Sequence, residues 1–485
     1  MSAATLLVLH APAHAGPAFA WVARVLLGRF LGLDASAWRL ADVPAPHFRI
    51  EGPAGRIVWP DLFFASLRDG AASGAMPVLP LPSWPIADAA LAQAIGESHL
   101  PLLYAGEVRD VLDPDDAGDA DDAAVRLPLD LFGAAFFMLS RYEEWAAVAP
   151  PQARDRHGRF PAAASIAQRA GVLHRPLVDE YTELLWWALA RIAPGLTRVP
   201  RRARLWLSCD IDAPYTPGAR GPLLALRQAA SHLVNDRSGA LAARSLLAAA
   251  TAPFGSTRLD RLDPFDTFEY MLDRLDAAGQ RATFYVIAAE QPRGPDGVYT
   301  VAEPRIATLM QRLVARGHEI GLHGSYHSAD DPALLASEAQ RLRAAVALAG
   351  GRQNEWPARQ HYLRWVTPRT ARHLAAAGFA SDSTLAFAEA PGFRCGTCHA
   401  YPLWDLDDAR ELPLLERPLV AMDASVTSRS YLGLGYGEEA FEAFDRIARA
   451  CRRFGGEFSL LWHNSNLALP GARALFERLL GAGSS

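Results

Sequence analysis

The segment Arg204-Leu-Trp-Leu-Ser-Cys-Asp-Ile-Asp-Ala-Pro-Tyr215 reads as a buried strand that ends in two carboxylates, Asp210 and Asp212. Residues two apart in a strand point to the same side, so these two share a face while Cys209 and Ile211 share the other. Carboxylates held side by side repel, and keeping both ionised costs energy unless a cation lies between or beside them. Pro214 ends the strand and leaves the pair at its mouth. By itself the segment is equally a helix cap or a solvated turn. A second group shifts the reading. His323-Gly-Ser-Tyr-His327 directly follows a strand pattern, and two His four residues apart meet on one side if the segment opens a helix. Asp212, His323 and His327 then offer two imidazoles and a carboxylate, a divalent-metal set with positions left open for water and substrate.

Such groups need a scaffold that gathers strand ends. From residue 204 onward apolar strands alternate with amphipathic helices. Strands are expected from 204 to the Asp210 and Asp212 pair, at 282–287, 318–323, into Arg359, at 379–382 and at 457–463. Helices are expected at 264–275, 305–316, 333–348, 367–377 and 438–454. This alternation predicts parallel strands, as a barrel or a doubly wound sheet. In α/β barrels the active site lies at the strand C-termini, where these polar residues fall. Residues 215–262 are too long for an ordinary connection and are expected to fold over the site as a lid. Roughly the first 200 residues read as a separate α/β domain, with strands at 6–9 and 57–58, a helix near 19–30, and helices at 129–145 and 178–192. The acidic run 112–122 reads as a solvated loop. The basic, Pro-broken stretch Arg198–Arg204 is taken as the boundary, giving domains 1–200 and 201–485.

Composition removes several classes. The chain of 485 residues has a net charge of -5 and no basic tract, which argues against a nucleic-acid partner. All 48 basic residues are Arg, so Schiff-base, P-loop and Ser-Lys chemistries are excluded together. Four Cys in so long a chain are not a disulfide framework. No apolar run reaches ~18 residues, so no transmembrane helix is expected. The N-terminal apolar run is short and has no positive side chain before Arg24, so it reads as a first strand, and a cytoplasmic protein is the default.

Taken in order, these motifs resemble those of the polysaccharide deacetylases, carbohydrate esterase family 4, the NodB homology group. The likeness covers roughly residues 200–480 and implies a distorted (β/α) barrel. Asp210-Ile-Asp212 resembles the first motif in an Asp-x-Asp form, implying Asp210 as general base and Asp212 as metal ligand. His323 and His327 resemble the His-Ser/Thr-x-x-His motif and complete the ligand set, with Gly324 in place of the Ser/Thr. Arg359 matches the Arg that orients the base, although the Pro that follows it in the family is absent. Ser459-Leu-Leu-Trp-His463 resembles the last motif. It implies Leu460 in the acetyl pocket, with Trp462 beside it, and His463 as general acid. Asp382 is the candidate for tuning that His, or else caps the next turn. Tyr362, Arg364 and Arg394 are candidates for saccharide contacts, Arg being suited to anionic groups, with surface ion pairs as the alternative. The implied reaction removes N-acetyl or O-acetyl groups from a sugar or polysaccharide with Zn²⁺ or another divalent metal. The alternative is a non-catalytic carbohydrate-binding or assembly protein that keeps the barrel. The first half resembles an uncharacterised domain that precedes some such deacetylases, on Phe137-Met-Leu-Ser-Arg-Tyr-Glu-Glu144 and Asp155-Arg-His-Gly-Arg-Phe160.

One motif stands outside this scheme. Cys395-Gly-Thr-Cys398-His399 matches both a c-type haem attachment pattern and a CxxC redox pair. Haem attachment needs export and a distal ligand, and a redox pair should open a helix after a strand. Residues 391–397 read as a loop at the barrel mouth. Packing or substrate-loop thiols are therefore expected, with a redox pair or a second zinc site as alternatives.

Overall fold

Buried apolar strands linked by amphipathic helices must pair side by side, and here they form one nine-stranded sheet. The computed structural model describes residues 7–68, 76–106, 124–146, 154–216, 222–234, 238–251, 263–292, 294–296 and 299–483. The first half contributes β1 (Leu7–His10), β2 (Trp38–Leu40), β3 (Arg49–Gly52), β4 (Gly55–Val58), β5 (Ser83–Pro85), β6 (His99–Pro101) and β7 (Ala124–Arg126). Five of these form a mixed sheet of order β2-β1-β3-β4-β7, and β5 pairs β6. The second half contributes β8 (Arg204–Ile211), β9 (Ala282–Ile287), β10 (Glu319–Gly324), β11 (Pro357–Gln360) and β12 (Ser381–Asp382). It continues with β13 (Tyr401–Asp405), β14 (Arg410–Glu416), β15 (Ala421–Met422) and β16 (Glu457–Leu461). Their order is β13-β14-β12-β11-β10-β9-β8-β16-β15.

Every pairing from β14 across to β15 is parallel, so all C-terminal ends lie along one edge. The sheet must also curl. β14 and β15 stand seven strand spacings apart, or ~34 Å if flat at ~4.8 Å each. Yet only residues 417–420 join them, a reach of at most ~18 Å at ~3.6 Å per residue. That link bridges the gap itself: Arg417 N donates to Asp382 O beyond β14 (2.8 Å), and Ser459 Oγ of β16 donates to Pro418 O. No ladder joins β14 to β15 among the described residues. The sheet is a curled half-barrel, and the short link spans its gap with side-chain and loop contacts in place of strand pairing.

We propose residue 200 as the boundary between the halves, which share one apolar cluster. Every residue of the helix Leu131–Leu139 is buried, and its Phe136 meets Trp404 of β13 at 6.0 Å. The expected helix near 19–30 forms as a helix over Gly16–Ala23 that continues as a wider π-type turn to Phe30. The acidic run 112–122 lies outside the described residues. Of the expected lid, two helices are described, Pro222–Val234 and Gly239–Thr251, packed on each other.

Candidate metal centre at the strand C-termini

β8 is apolar on the face that packs outward and polar on the other, so Ser208, Asp210 and Asp212 point together into the curl. His323, the next-to-last residue of β10, lies in register with Arg359 of β11. Asp212 Oδ1 lies 3.2 Å from His323 Nε2 and 3.6 Å from His361 Nε2. The three ligand atoms lie within 4.8 Å of one another. Ligands at ~2.1 Å around a four-coordinate cation sit ~3.4 Å apart, so the spacing fits a divalent ion.

The chemistry of the donors fits as well. Asp212 Oδ1 is buried without a hydrogen-bond partner. His323 Nδ1 donates to Arg359 O at 3.1 Å, which leaves Nε2 turned to the centre. His361 Nδ1 is held by the Asp296 carboxylate at 3.1 Å. Anchoring the far nitrogen of a ligating imidazole in this way fixes its orientation and raises its basicity. Without a metal, burial opposes charge on both groups, yet their attraction wins. His361 is pushed up to about 9 by Asp212 and Asp296, and Asp212 is held well below the usual carboxylate range by His361 and His323.

The group of possible ligand atoms that the structure brings together includes His361, two residues beyond Arg359, and not His327. His327 lies in the exposed turn after β10, with its ring against Tyr326 at 5.3 Å. It lines a cleft of about 330 Å³ together with Glu290, Asp296, Ser337 and Arg341. The segment 325–330 turns instead of opening a helix, so the spacing of four does not place both imidazoles together.

Two charged pairs flank the centre. Arg359 is fully buried and donates to Asp210 Oδ1 (2.7 Å), Ser208 Oγ (3.0 Å), Ser383 O (2.8 Å) and Ser383 Oγ (3.0 Å). Burial disfavours its charge, but Asp210 more than offsets this and raises its pKa. Asp210 Oδ2 remains turned to the centre, 3.6 Å from His323 Nε2. On the other side His463 Nδ1 donates to Asp423 Oδ1 (2.7 Å), and His463 Nε2 lies 3.6 Å from Asp212 Oδ2. Burial again opposes charge on His463, and Asp423 pushes it up to about 10. The residue beside His463 is therefore Asp423 and not Asp382. Asp382 instead accepts from Thr384 Oγ1 (2.6 Å) and Thr384 N (2.9 Å). Asp423 was legible in principle: Leu419-Val-Ala-Met-Asp423 is a short apolar run that ends in a carboxylate, the same pattern as Asp210.

The other expected contacts are distributed differently. Leu460 and Trp462 alternate with Leu461 and His463, so they face away from the centre. Leu460 lies in the main core, and Trp462 packs on Phe476 at 5.3 Å. Leu461, on the face of His463, joins a small apolar cluster with Leu363, Ala386, Ala388, Leu419 and Met422. Tyr362 stands at the mouth with a left-handed φ of 60°, followed by Leu363 at 55°. Such backbone is costly for non-glycine residues and persists only where the surroundings enforce it. The enforcement comes from the first half: Arg159 NH1 donates to Tyr362 O (3.0 Å), and the His157 ring lies 4.5 Å from that of Tyr362. Arg364 donates to His157 O (2.9 Å) and pairs with Asp330 (2.6 Å).

Arg394 is buried too, clamped by both oxygens of Glu144 (2.9 and 2.8 Å) and donating to Ala386 O (2.6 Å). It is a brace, not a surface for saccharide. Arg141, also at a left-handed φ of 57°, donates to the same Glu144 (2.9 Å), to Glu143 (2.6 Å) and to Arg394 O. The two motifs singled out in the first half therefore hold two loops of the second. Glu144→Ala would leave two buried guanidinium groups short of a counter-ion. It should cost about 3–5 kcal/mol of stability, read as a lower urea midpoint. A loss under about 1 kcal/mol would show that the loop does not depend on this contact.

The cysteine motif is buried packing. Cys395 faces Arg141 and Tyr401, whereas Cys398 faces Asp179 and Cys451, so the two thiols have different neighbours. Asp179, Cys398 and His399 form a second group of possible ligands. Its donors are occupied: Asp179 accepts from Thr397 Oγ1 (2.6 Å) and Cys398 N (2.9 Å), and His399 Nδ1 faces the cation of Arg201 at 2.8 Å. Burial also pushes the Cys398 thiol far up. A cation would meet a protonated thiol and a guanidinium there.

A model of a family of unknown function, DUF7033, matches residues 85–194. No curated protein matches the chain in sequence. Among solved structures, one described as a polysaccharide deacetylase of Mycobacterium smegmatis is 22% identical, covers 59% of this chain and 85% of its own, and has a TM-score of 0.38. One from Pseudomonas aeruginosa is 19% identical with 58% and 84% covered and a TM-score of 0.36. The Puue allantoinase is 17% identical with 58% and 84% covered and a TM-score of 0.36. Scores this low carry no chemistry, which rests on the side chains above.

Proposed function

We propose that the chain is a metal-dependent hydrolase that removes an acetyl group, N- or O-linked, from a saccharide. One observation carries this reading. The ligand set Asp212, His323 and His361 has an Arg-held carboxylate on one side and a carboxylate-held imidazole on the other. A divalent cation bound there, with zinc the expected one, would polarise an acyl carbonyl and acidify water. The remaining work falls to the side chains. Arg359 keeps Asp210 in its charged form, ready to take a proton. His463, charged through Asp423, has its Nε2 turned to the centre and can hand a proton to a departing amine or alcohol. The small apolar cluster around Leu461, Ala386 and Met422 suits a methyl-sized acyl group. Tyr362 offers a ring face at the mouth, where a sugar would lie.

The test is acetate release from N-acetylated and O-acetylated saccharides, with metal content measured by mass spectrometry. About one zinc per chain and release that stops on chelation and returns with zinc are expected. A metal-loaded protein that releases no acetate from any of them would favour a non-catalytic carbohydrate-binding role.

A further inference from the structure

We propose that the paired helices Pro222–Val234 and Gly239–Thr251 form a docking element for an anionic lipid surface. Their amphipathicity is inverted. A helix of a globular protein turns its large apolar residues to the core. In the first of these helices the small residues Ala225 and Ala229 are buried, while Leu223, Leu226, Leu233 and Val234 are between 56% and 71% exposed. Their spacing of three, seven and one places them on one stripe. In the second helix Leu246 is 40% exposed. With Leu224 and Leu247, seven of the large apolar side chains left in solvent thus fall on this one excursion, and a contiguous apolar face marks an interaction site.

Charge decides the occupant. The chain carries 53 acidic residues and a net charge of -5, yet neither helix contains Asp or Glu. Both carry Arg, and the exposed Arg227 lies within the apolar stripe. An exposed leucine face that carries Arg and no carboxylate suits apolar burial in a lipid interface together with attraction to anionic headgroups. Each helix of 13 residues is ~20 Å long at 1.5 Å per residue, short of the ~30 Å apolar core, so the element lies on the membrane and does not cross it.

Its placement ties it to the site. The excursion leaves just after Asp212 and returns at Asp263, where Thr216 N (3.0 Å) and Thr216 Oγ1 (2.6 Å) clasp the Asp263 carboxylate. Asn464, next to His463, donates to Ala213 O (3.0 Å) and Phe265 O (2.9 Å) across the same base. A docked element would hold the mouth of the centre at the lipid surface. A saccharide carried on a lipid would then be the natural substrate, a clause that rests on the function proposed above.

The experiment is sedimentation of the whole protein with phosphatidylcholine vesicles, with and without phosphatidylglycerol. It needs no substrate, so its outcome is independent of the deacetylase reading. Binding to the phosphatidylglycerol vesicles, weakened by salt, is expected. The triple variant Leu223→Ser, Leu226→Ser, Leu233→Ser should bind roughly tenfold more weakly or worse while keeping its circular dichroism and zinc, since these side chains are exposed. Arg227→Glu should weaken binding only to the anionic vesicles. The proposal is overturned if the parent does not sediment with them, or if the triple variant binds as the parent does. It is also overturned if the parent forms a dimer that the same three substitutions abolish without any vesicle binding, which would assign the face to a second copy.

Discussion

His361→Ala should empty the metal centre and abolish acetate release, whereas His327→Ala should leave zinc at about one per chain. The contrast follows from placement. His361 Nε2 lies 3.6 Å from Asp212 Oδ1, with its far nitrogen held by Asp296, while His327 lies in an exposed turn outside that group of ligand atoms. The effect should grade outward. Asp296→Asn keeps the ligand but weakens its anchor, so metal affinity should fall by about 10–100-fold. Proton competition gives the sign of the pH dependence. In the metal-free chain His361 is charged below about 9, so metal binding must displace that proton and should weaken as pH falls. Zinc retained in His361→Ala and lost in His327→Ala would reverse the ligand assignment.

The second large effect is a loss of rate without loss of metal. Asp210→Asn preserves shape and removes the base, and should lower turnover by about 10²–10⁴-fold, or ~3–5.5 kcal/mol of barrier. Zinc should stay, because Asp212, His323 and His361 are untouched. Arg359 keeps its bonds to Ser208 and Ser383, and circular dichroism should show that the fold survives. Loss of zinc in this variant would mean that Asp210 is itself a ligand, and unchanged turnover would exclude it as the base. The opposite flank has a pH signature. Asp423 raises the His463 pKa, so the protonated, active form persists until pH rises through that value. Asp423→Asn should move the alkaline limb of activity to lower pH. A limb that stays in place would show that another group donates the proton.

How far the sequence reaches can be seen residue by residue. The alternation along 204–212 fixes that Asp210 and Asp212 share a face, because strand geometry depends only on near neighbours. The same holds for His323 and Arg359 at the ends of their strands, and for a parallel α/β sheet as the scaffold. The third member of the proposed ligand set was beyond such reasoning. His327 and His361 are both polar residues just past a strand end, and local spacing favoured the first. The choice is made by two backbone paths: the segment after β10 turns outward, and the left-handed pair Tyr362 and Leu363 follows His361. Those two residues are held there by Arg159 and His157, some 200 positions earlier in the chain. Asp423 and Asp382 present the same problem, since only the curl of the sheet shows which strand end lies beside His463. The first half is the extreme case. Its buried Arg141 and Glu144 look like the polar end of an apolar helix in sequence, and only the approach of Arg394, 250 residues away, makes them a clamp. Periodicity reports which way a side chain points from its own strand. Which side chains then meet depends on register, curl and loop path, which are set by contacts between residues far apart in the chain.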